Sequence, residues 1–470
     1  MQIRQIILAA SVVAAAPTGP IKNFVVLCLE NHSFDALLGW WAKSQAGIDG
    51  IPDGDTACNT LAKTGQQFCA SNAAQYVQDF DPDHQVDATT LQIYGAANGT
   101  NPLAPIGLPN MSGFVDQAVV YEDEPLSENG EPQVFNDSYA AQTVMSSFDP
   151  SALPVTIALA ENFLVFDAWH AAVPGPTFPN RISLAAGTSN GLYYNEVSTL
   201  LAGMPQTSIF QMFDNAGYSY KNYYNQVPTG VVFTDFRDRV IKDILELQPS
   251  AHIGSLNSFF ADAKAGNLPA FSWIDPILVS VPGQPANDNH PPHDIARGEL
   301  LVKQVYEALR ASPQWESTAL LLTYDEHGGF WDHAAPPTNV PIPDTASANC
   351  PDFHFDRLGI RVPTILISPY VNAGVVHQPT AAAPAQFASY SASQYEHASL
   401  THTLNDLFDL GASLTNRSAW AGSFAGEFLH TARTNTPVTL PDAPTITLSA
   451  EIADVENEWM EIVSFIRSIL

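Results

Sequence analysis

Basic residues are scarce in this chain of 470 residues: 18 Lys and Arg stand against 48 Asp and Glu, a formal net charge of −30. A phosphate backbone is held by a basic footprint, so nucleic acid is not an expected partner. Any anionic substrate must be held by a local site and not by the global field. Cysteine is nearly absent, with four residues, too few for a disulfide-built scaffold. After the N-terminus no apolar stretch reaches the roughly 20 residues that a membrane helix needs. Low-complexity tracts and internal repeats are also missing. What is present is 46% hydrophobic and 14% charged, the composition of a globular protein with a large core.

Arg4, the apolar run Ile6 to Val13 and the small residues Ala14-Ala15-Ala16 have the layout of a secretory signal peptide, read as residues 1–16. A secreted, extracellular protein is therefore expected, without a transmembrane segment. Acceptor patterns for N-glycosylation begin at Asn98, Asn110, Asn136 and Asn416. Cys58 and Cys69 share a polar loop and could close a small disulfide. Cys28 lies in an apolar strand and reads as a buried free thiol. Residues 17–470 read as a single catalytic domain. Near its end Ile452, Val455, Trp459, Ile462 and Ile466 follow helical spacing, so 449–470 is expected to be a docked amphipathic helix.

Strands are expected at Phe24–Leu29, Phe163–Phe166, Tyr218–Tyr223, Leu268–Trp273, around Leu320 and at Val362–Ile367. Helices are expected at Leu153–Asn162, Ile209–Asn215, Ser258–Ala265 and Ala296–Ala311. Alternating helices and strands predict an α/β fold with a mostly parallel central sheet. The stretch from about 40 to 144, rich in Pro, Gly, Asn and Asp, reads as a long loop-rich insertion over the active site.

Chemistry concentrates at TYDEHGGFWDH, residues 323–333. Asp325 and Glu326 close an apolar strand, at the sheet edge where open α/β sheets bind ligands. Two adjacent carboxylates with His327 and His333 nearby repel one another or compete for protons unless a cation neutralises them. Glu30-Asn31 closes the first strand in the same way, and two such oxygen-rich pairs suit a divalent metal ion. Alone, Glu30-Asn31 would equally suit a helix cap or a turn. Thr177 lies in a Pro/Gly turn, and Pro179 is placed to open a helix running through Arg181. A hydroxyl at a helix N-terminus, close to a metal, could attack phosphorus, although a plain cap threonine accounts for it too. His290-Pro291-Pro292-His293-Asp294 offers two imidazoles in a rigid turn for proton transfer. Asp81-Pro82-Asp83-His84 and Tyr395-Glu396-His397 are similar polar clusters.

ENHSFDALLG at 30–39, GPTFPNR at 175–181, HPPHD at 290–294 and DEHGGFWDHAAPP at 325–337 occur in one order. This set resembles the phosphoesterase family of non-specific, phosphatidylcholine-type phospholipases C and secreted acid phosphatases. RLGIRVPTILISP at 357–369 and the segments 81–84 and 111–114 resemble it as well, so that the likeness runs from Ile21 to about Leu410. The resemblance implies an alkaline-phosphatase-like three-layer α/β/α sandwich. It implies metal ligands at Glu30, Asn31, Asp325 and Glu326, with Thr177 as the nucleophile. His84, His290 and His293 would serve catalysis, and Asp294, His397 and Arg181 would contact substrate. Phe178 departs from the family pattern where a His is common, and Ala334-Ala335 replace bulkier residues. The implied reaction is phospholipase C-type cleavage of phospholipid diesters, with peripheral lipid contact. The alternatives are an acid phosphatase for small phosphate esters and, more remotely, a non-catalytic phosphate- or metal-binding protein.

Overall fold

The computed structural model describes residues 19–95, 97–98, 101–122, 136–281 and 283–446. The expected signal peptide and C-terminal helix lie outside these residues. Eight strands form the main sheet: β1 (Asn23–Leu29), β2 (Leu164–Phe166), β3 (Tyr220–Tyr224), β4 (Ile253–Ser255), β5 (Phe271–Ile274), β6 (Thr318–Tyr324), β7 (Thr364–Ile367) and β8 (Gly374–Val376). Their order is β8-β2-β7-β6-β1-β5-β3-β4. Only β7 runs against the rest; it is antiparallel to both β6 and β2. β1 and β6 are the central pair, parallel and in register from Asn23↔Thr318 to Leu29↔Tyr324. Every residue of both strands is buried, as expected where helices cover both faces of a parallel sheet.

Helices Pro154–Asn162, Leu256–Ala265 and Ile295–Ala311 pack together in one layer. Thr177–Ala186, Ile209–Ala216 and Ala398–Phe408 form the other. The expected α/β architecture is therefore present, with element ends shifted by one to three residues. Strand Tyr220–Tyr224 and helix Thr234–Leu245 show the limits of periodicity: the first starts later than expected, and the second was not expected at all. Among the described residues no helix is long and apolar enough to cross a membrane.

The segment 40–144 has more regular structure than its composition predicts. It carries the helices Val86–Tyr94, Phe114–Glu122 and Asp137–Val144, and two hairpins. Ile93, Phe114, Val115, Ala140 and Val144 make a separate small core, which Trp331 and Ile360 of the main body join. The Cys58–Cys69 disulfide closes one hairpin, and Cys28 is buried and free.

One buried charge cluster fixes the far side of the 325–337 loop. Arg361, almost without solvent contact, donates from Nε to Asp332 Oδ1 at 3.0 Å and from Nη2 to Asp35 Oδ1 at 3.2 Å. His333 bridges Asp35 Oδ2 at 2.6 Å and Asp49 Oδ1 at 3.0 Å. His333 is thus turned away from Asp325 and Glu326, which corrects the expectation that it gathers with them. Burial opposes its charge, but the bonds to Asp35 and Asp49 prevail and raise its pKa to about 10. Substituting Arg361→Met leaves Asp35 and Asp332 without their guanidinium, and the loss is expected to be about 3–5 kcal/mol, read as a lower urea midpoint. The His333 contribution is complete below pH 6.5, its ordinary pKa, and fades as pH rises through about 10. Urea melts at pH 7 and pH 10 should therefore differ more for wild type than for His333→Gln.

Candidate active site

Because β1, β5 and β6 are parallel neighbours, their C-terminal ends bring Glu30, Asp275 and Asp325-Glu326 to one edge. All four carboxylates are at most 1% exposed. Asn31 follows at φ +75°, a left-handed conformation that Asn tolerates. Gly328, itself at φ +63°, passes so close that a Cβ there would lie 2.2 Å from the Asn31 carbonyl oxygen. Only glycine allows the two catalytic turns to touch.

A single guanidinium stands among these acids. Arg181 Nε donates to Asp325 Oδ2 at 2.7 Å, Nη2 lies 3.0 Å from Glu30 Oε1, and Nη1 lies 4.0 Å from Asp275 Oδ1. The Glu30 contact is an ion pair without hydrogen-bond alignment, and both Glu30 carboxylate oxygens have no hydrogen-bond partner. Burial disfavours the charge on Arg181, yet Asp325, Glu30 and Asp275 together hold it ionised more firmly than usual. Burial and the neighbouring Asp325 push the Glu30 and Glu326 carboxyls well up.

The strand ends carry orphaned atoms. Both oxygens of Glu30, both of Glu326 and Oδ1 of Asn31 are buried without a hydrogen-bond partner. Five buried oxygens without donors are costly in a protein interior, and hard oxygen donors of this kind suit a divalent cation. Glu30, Asn31 and Glu326 thus have the oxygen donors that the implied metal needs, whereas Asp325 is engaged by Arg181 and by the Glu326 N–H. Among the described residues, the Asp, Glu and His side chains whose ligand atoms lie within 4.8 Å of one another are Asp35, Asp332 and His333, but Arg361 already sits on that group.

Thr177 is the first residue of the helix Thr177–Ala186, two residues ahead of the expected start at Pro179. Asn180 locks the turn before it: its Nδ2 lies within bonding range of the carbonyls of Val173, Gly175 and Pro176, and its Oδ1 accepts from Val173 N. Thr177 and Arg181 are four residues apart, on one helix face. The face that carries the guanidinium to Glu30 and Asp325 therefore carries the buried Thr177 hydroxyl as well.

Three histidines line the other side. The rings of His84 and His290 are 6.2 Å apart, and those of His290 and His293 6.1 Å. His84 Nδ1 meets the Pro82 carbonyl at 2.8 Å, which turns Nε2 toward Glu326 Oε1 at 4.0 Å. His293 Nδ1 pairs with the fully buried Asp288 at 2.7 Å. Asp288 also receives the Glu30 backbone N–H on its carbonyl, so it ties this imidazole to the carboxylate cluster.

Three expected substrate contacts are placed differently. Arg181 is wholly enclosed by acids and the carbonyls of Cys28 and Leu29. His397 Nδ1 accepts from Trp169 Nε1 at 3.2 Å, which leaves Nε2–H to donate to the Asp325 carbonyl at 2.6 Å; burial lowers its pKa to about 4. Asp294 caps the helix Ile295–Ala311 by accepting from Ala296 N. Each braces the site from behind. His327, expected near the carboxylates, is buried against Gln92 Oε1 at 2.9 Å, and burial holds it neutral. Asp275 and Asp288 were missed as participants. Asp275 ends an apolar strand just as Asp325 does, and that signal was available.

The family model described as the phosphoesterase family matches residues 21–411. The chain is 40% identical to non-specific phospholipase C6 of Arabidopsis thaliana over 90% of its own length and 75% of the relative's. It is 41% identical to non-specific phospholipase C1 of the same plant, over 87% and 71%. Phospholipase C A of Mycobacterium tuberculosis is 25% identical over 60% of this chain and 55% of its own. Among solved structures, an alkaline phosphatase superfamily protein from Vibrio parahaemolyticus aligns over 59% of this chain and 64% of its own, at 12% identity and a TM-score of 0.34. With the matched region enclosing every residue of the cluster, this chain belongs to the phosphoesterase family and is a hydrolase of phosphoric ester bonds.

Proposed function

We propose that the protein is a secreted, divalent-metal-dependent phospholipase C that releases diacylglycerol from phospholipid. The observation that carries the metal dependence is the set of unpartnered buried oxygens on Glu30, Asn31 and Glu326. The names of the Arabidopsis and mycobacterial relatives favour a phosphodiester over a monoester. Secretion is supported by the signal-like N-terminus and by a disulfide, which persists in oxidising compartments.

A cation held by Glu30, Asn31, Asp325 and Glu326 would supply positive charge to the phosphate and lower the pKa of a neighbouring hydroxyl. Thr177 Oγ1 forms the new bond to phosphorus as the bond to the glycerol oxygen breaks. The helix N-terminus beneath Thr177 offers backbone N–H groups to the phosphoryl oxygens. His293, oriented by Asp288, donates a proton to the departing glycerol oxygen. Asp288 stabilises the charged imidazole before that transfer, and the neutral ring left behind takes a proton from the water that attacks next. Water releases the headgroup phosphate from Thr177 in a second displacement. Arg181 stays on the carboxylates, and its part is to hold Asp325 in place.

Thr177→Ala is expected to lower turnover of phosphatidylcholine vesicles by at least about a thousandfold while metal content per chain, measured by mass spectrometry, stays as in wild type. Near-normal activity would remove Thr177 as nucleophile. Dialysis against a chelator should abolish activity and lower the melting temperature, since a ligand bound only by the folded state stabilises it; an unchanged melt would count against the site. The same wild-type preparation assayed on p-nitrophenyl phosphate decides the substrate class, because a preference for this monoester over phosphatidylcholine would make the protein an acid phosphatase.

A further inference from the structure

From Ala88 to Val115 the chain contains no acidic, basic or histidine side chain, although its net charge is −30. The middle of this stretch is Pro105-Ile106-Gly107-Leu108-Pro109. Ile106 is 52% exposed and Leu108 85% exposed. Two large aliphatic side chains at the tip of one loop, with a proline on each side, are thus largely turned to solvent.

The base of the loop is firmly held. The N–H groups of Asn110 and Met111 both donate to the Ile93 carbonyl, at 2.8 and 2.9 Å. Leu103 and Met111 are buried on either side of the tip, and Arg357 Nη2 donates to the Leu103 carbonyl at 2.6 Å. The same helix that anchors the loop, Val86–Tyr94, begins two residues after His84. It is also pinned to the catalytic turn through Gln92 and His327. Nine helical residues span roughly 14 Å, so one short rigid element joins the apolar tip to the active site.

We propose that the loop 106–109 is a membrane-docking tip that enters the headgroup region of a zwitterionic phospholipid surface. This rests on the phospholipase C reading above and adds how the enzyme reaches its substrate. The charge pattern selects the surface. A chain this acidic is repelled by anionic lipid, whereas an uncharged segment with exposed Ile and Leu partitions into an electrically neutral interface. A second exposed apolar group, Ile241, Ile244, Leu245 and Leu247, lacks this character: Asp238, Arg239, Lys242 and Glu246 are interspersed with it, and its helix has no link to His84.

Flotation with phosphatidylcholine vesicles tests the tip. It is done in a Thr177→Ala background so that the vesicles survive, and without N-glycans because Asn110 borders the loop. The pair Ile106→Asp and Leu108→Asp is expected to lower vesicle partition at least tenfold, whereas Leu245→Asp leaves it unchanged. In the wild-type background the same pair should spare hydrolysis of soluble p-nitrophenylphosphocholine and slow only hydrolysis of vesicles. Unchanged flotation of the pair would overturn the proposal. So would stronger binding when phosphatidylserine is added, or a concentration-dependent dimer, dissolved by the pair, with no vesicle binding. If the tip governs flotation but wild type turns over no phosphatidylcholine, docking stands and the phospholipase C reading fails.

Discussion

The contact on which the site depends is that of Arg181 with Asp325 and Glu30. Parallel registry of β1 and β6 places those two acids side by side, and two carboxylates buried together are costly without a counter-charge. The guanidinium arrives from a third element, the helix opened by Thr177, at one turn from the hydroxyl itself. One ion pair therefore sets three positions at once: the two strand ends and the helix N-terminus. It meets only part of the negative charge. Glu326 and the second oxygen of Glu30 stay without donors, and this remainder is the feature that supports the proposed cation at the edge.

Around that centre the protein repeats the arrangement in a form that is complete. There two basic side chains, Arg361 and His333, face two buried carboxylates, Asp35 and Asp332. The 325–337 loop is therefore held at its start by Arg181 and near its middle by Arg361. Between them run Gly328 and Gly329, both at positive φ, where the backbone turns sharply against Asn31 and Pro82. Mobility in a loop so clamped is confined to small adjustments, which favours a preorganised phosphate pocket.

Much of this could be read from the sequence, for reasons that are physical. β1 and β6 announce themselves because a strand covered on both faces needs an unbroken apolar run, and NFVVLCL and TALLLTY provide it. Carboxylates at the ends of such runs are conspicuous. The helix Val86–Tyr94 was hidden because its buried face is polar: Thr89, Thr90 and Gln92 are enclosed through hydrogen bonds and not through apolar spacing. The parts of Arg181, Asp294 and His397 could not be read locally, since their partners are set by topology. Arg181 and Asp325 are 144 residues apart, and nothing in the spacing shows that the guanidinium faces acids instead of substrate.

The position of β1 has a further consequence, for biogenesis. It is the first strand to be synthesised and one of the two innermost, yet both of its partners, β5 and β6, belong to the second half of the chain. During translation a strand that is apolar from Phe24 to Leu29 must wait, with both edges bare, until most of the domain exists. Such non-local pairing folds slowly, and bare strand edges invite aggregation in the interval. The topology that brings Glu30 beside Asp325 thus makes the newborn chain dependent on protection of its first strand, and the two acids cannot meet until about two thirds of the chain has been made.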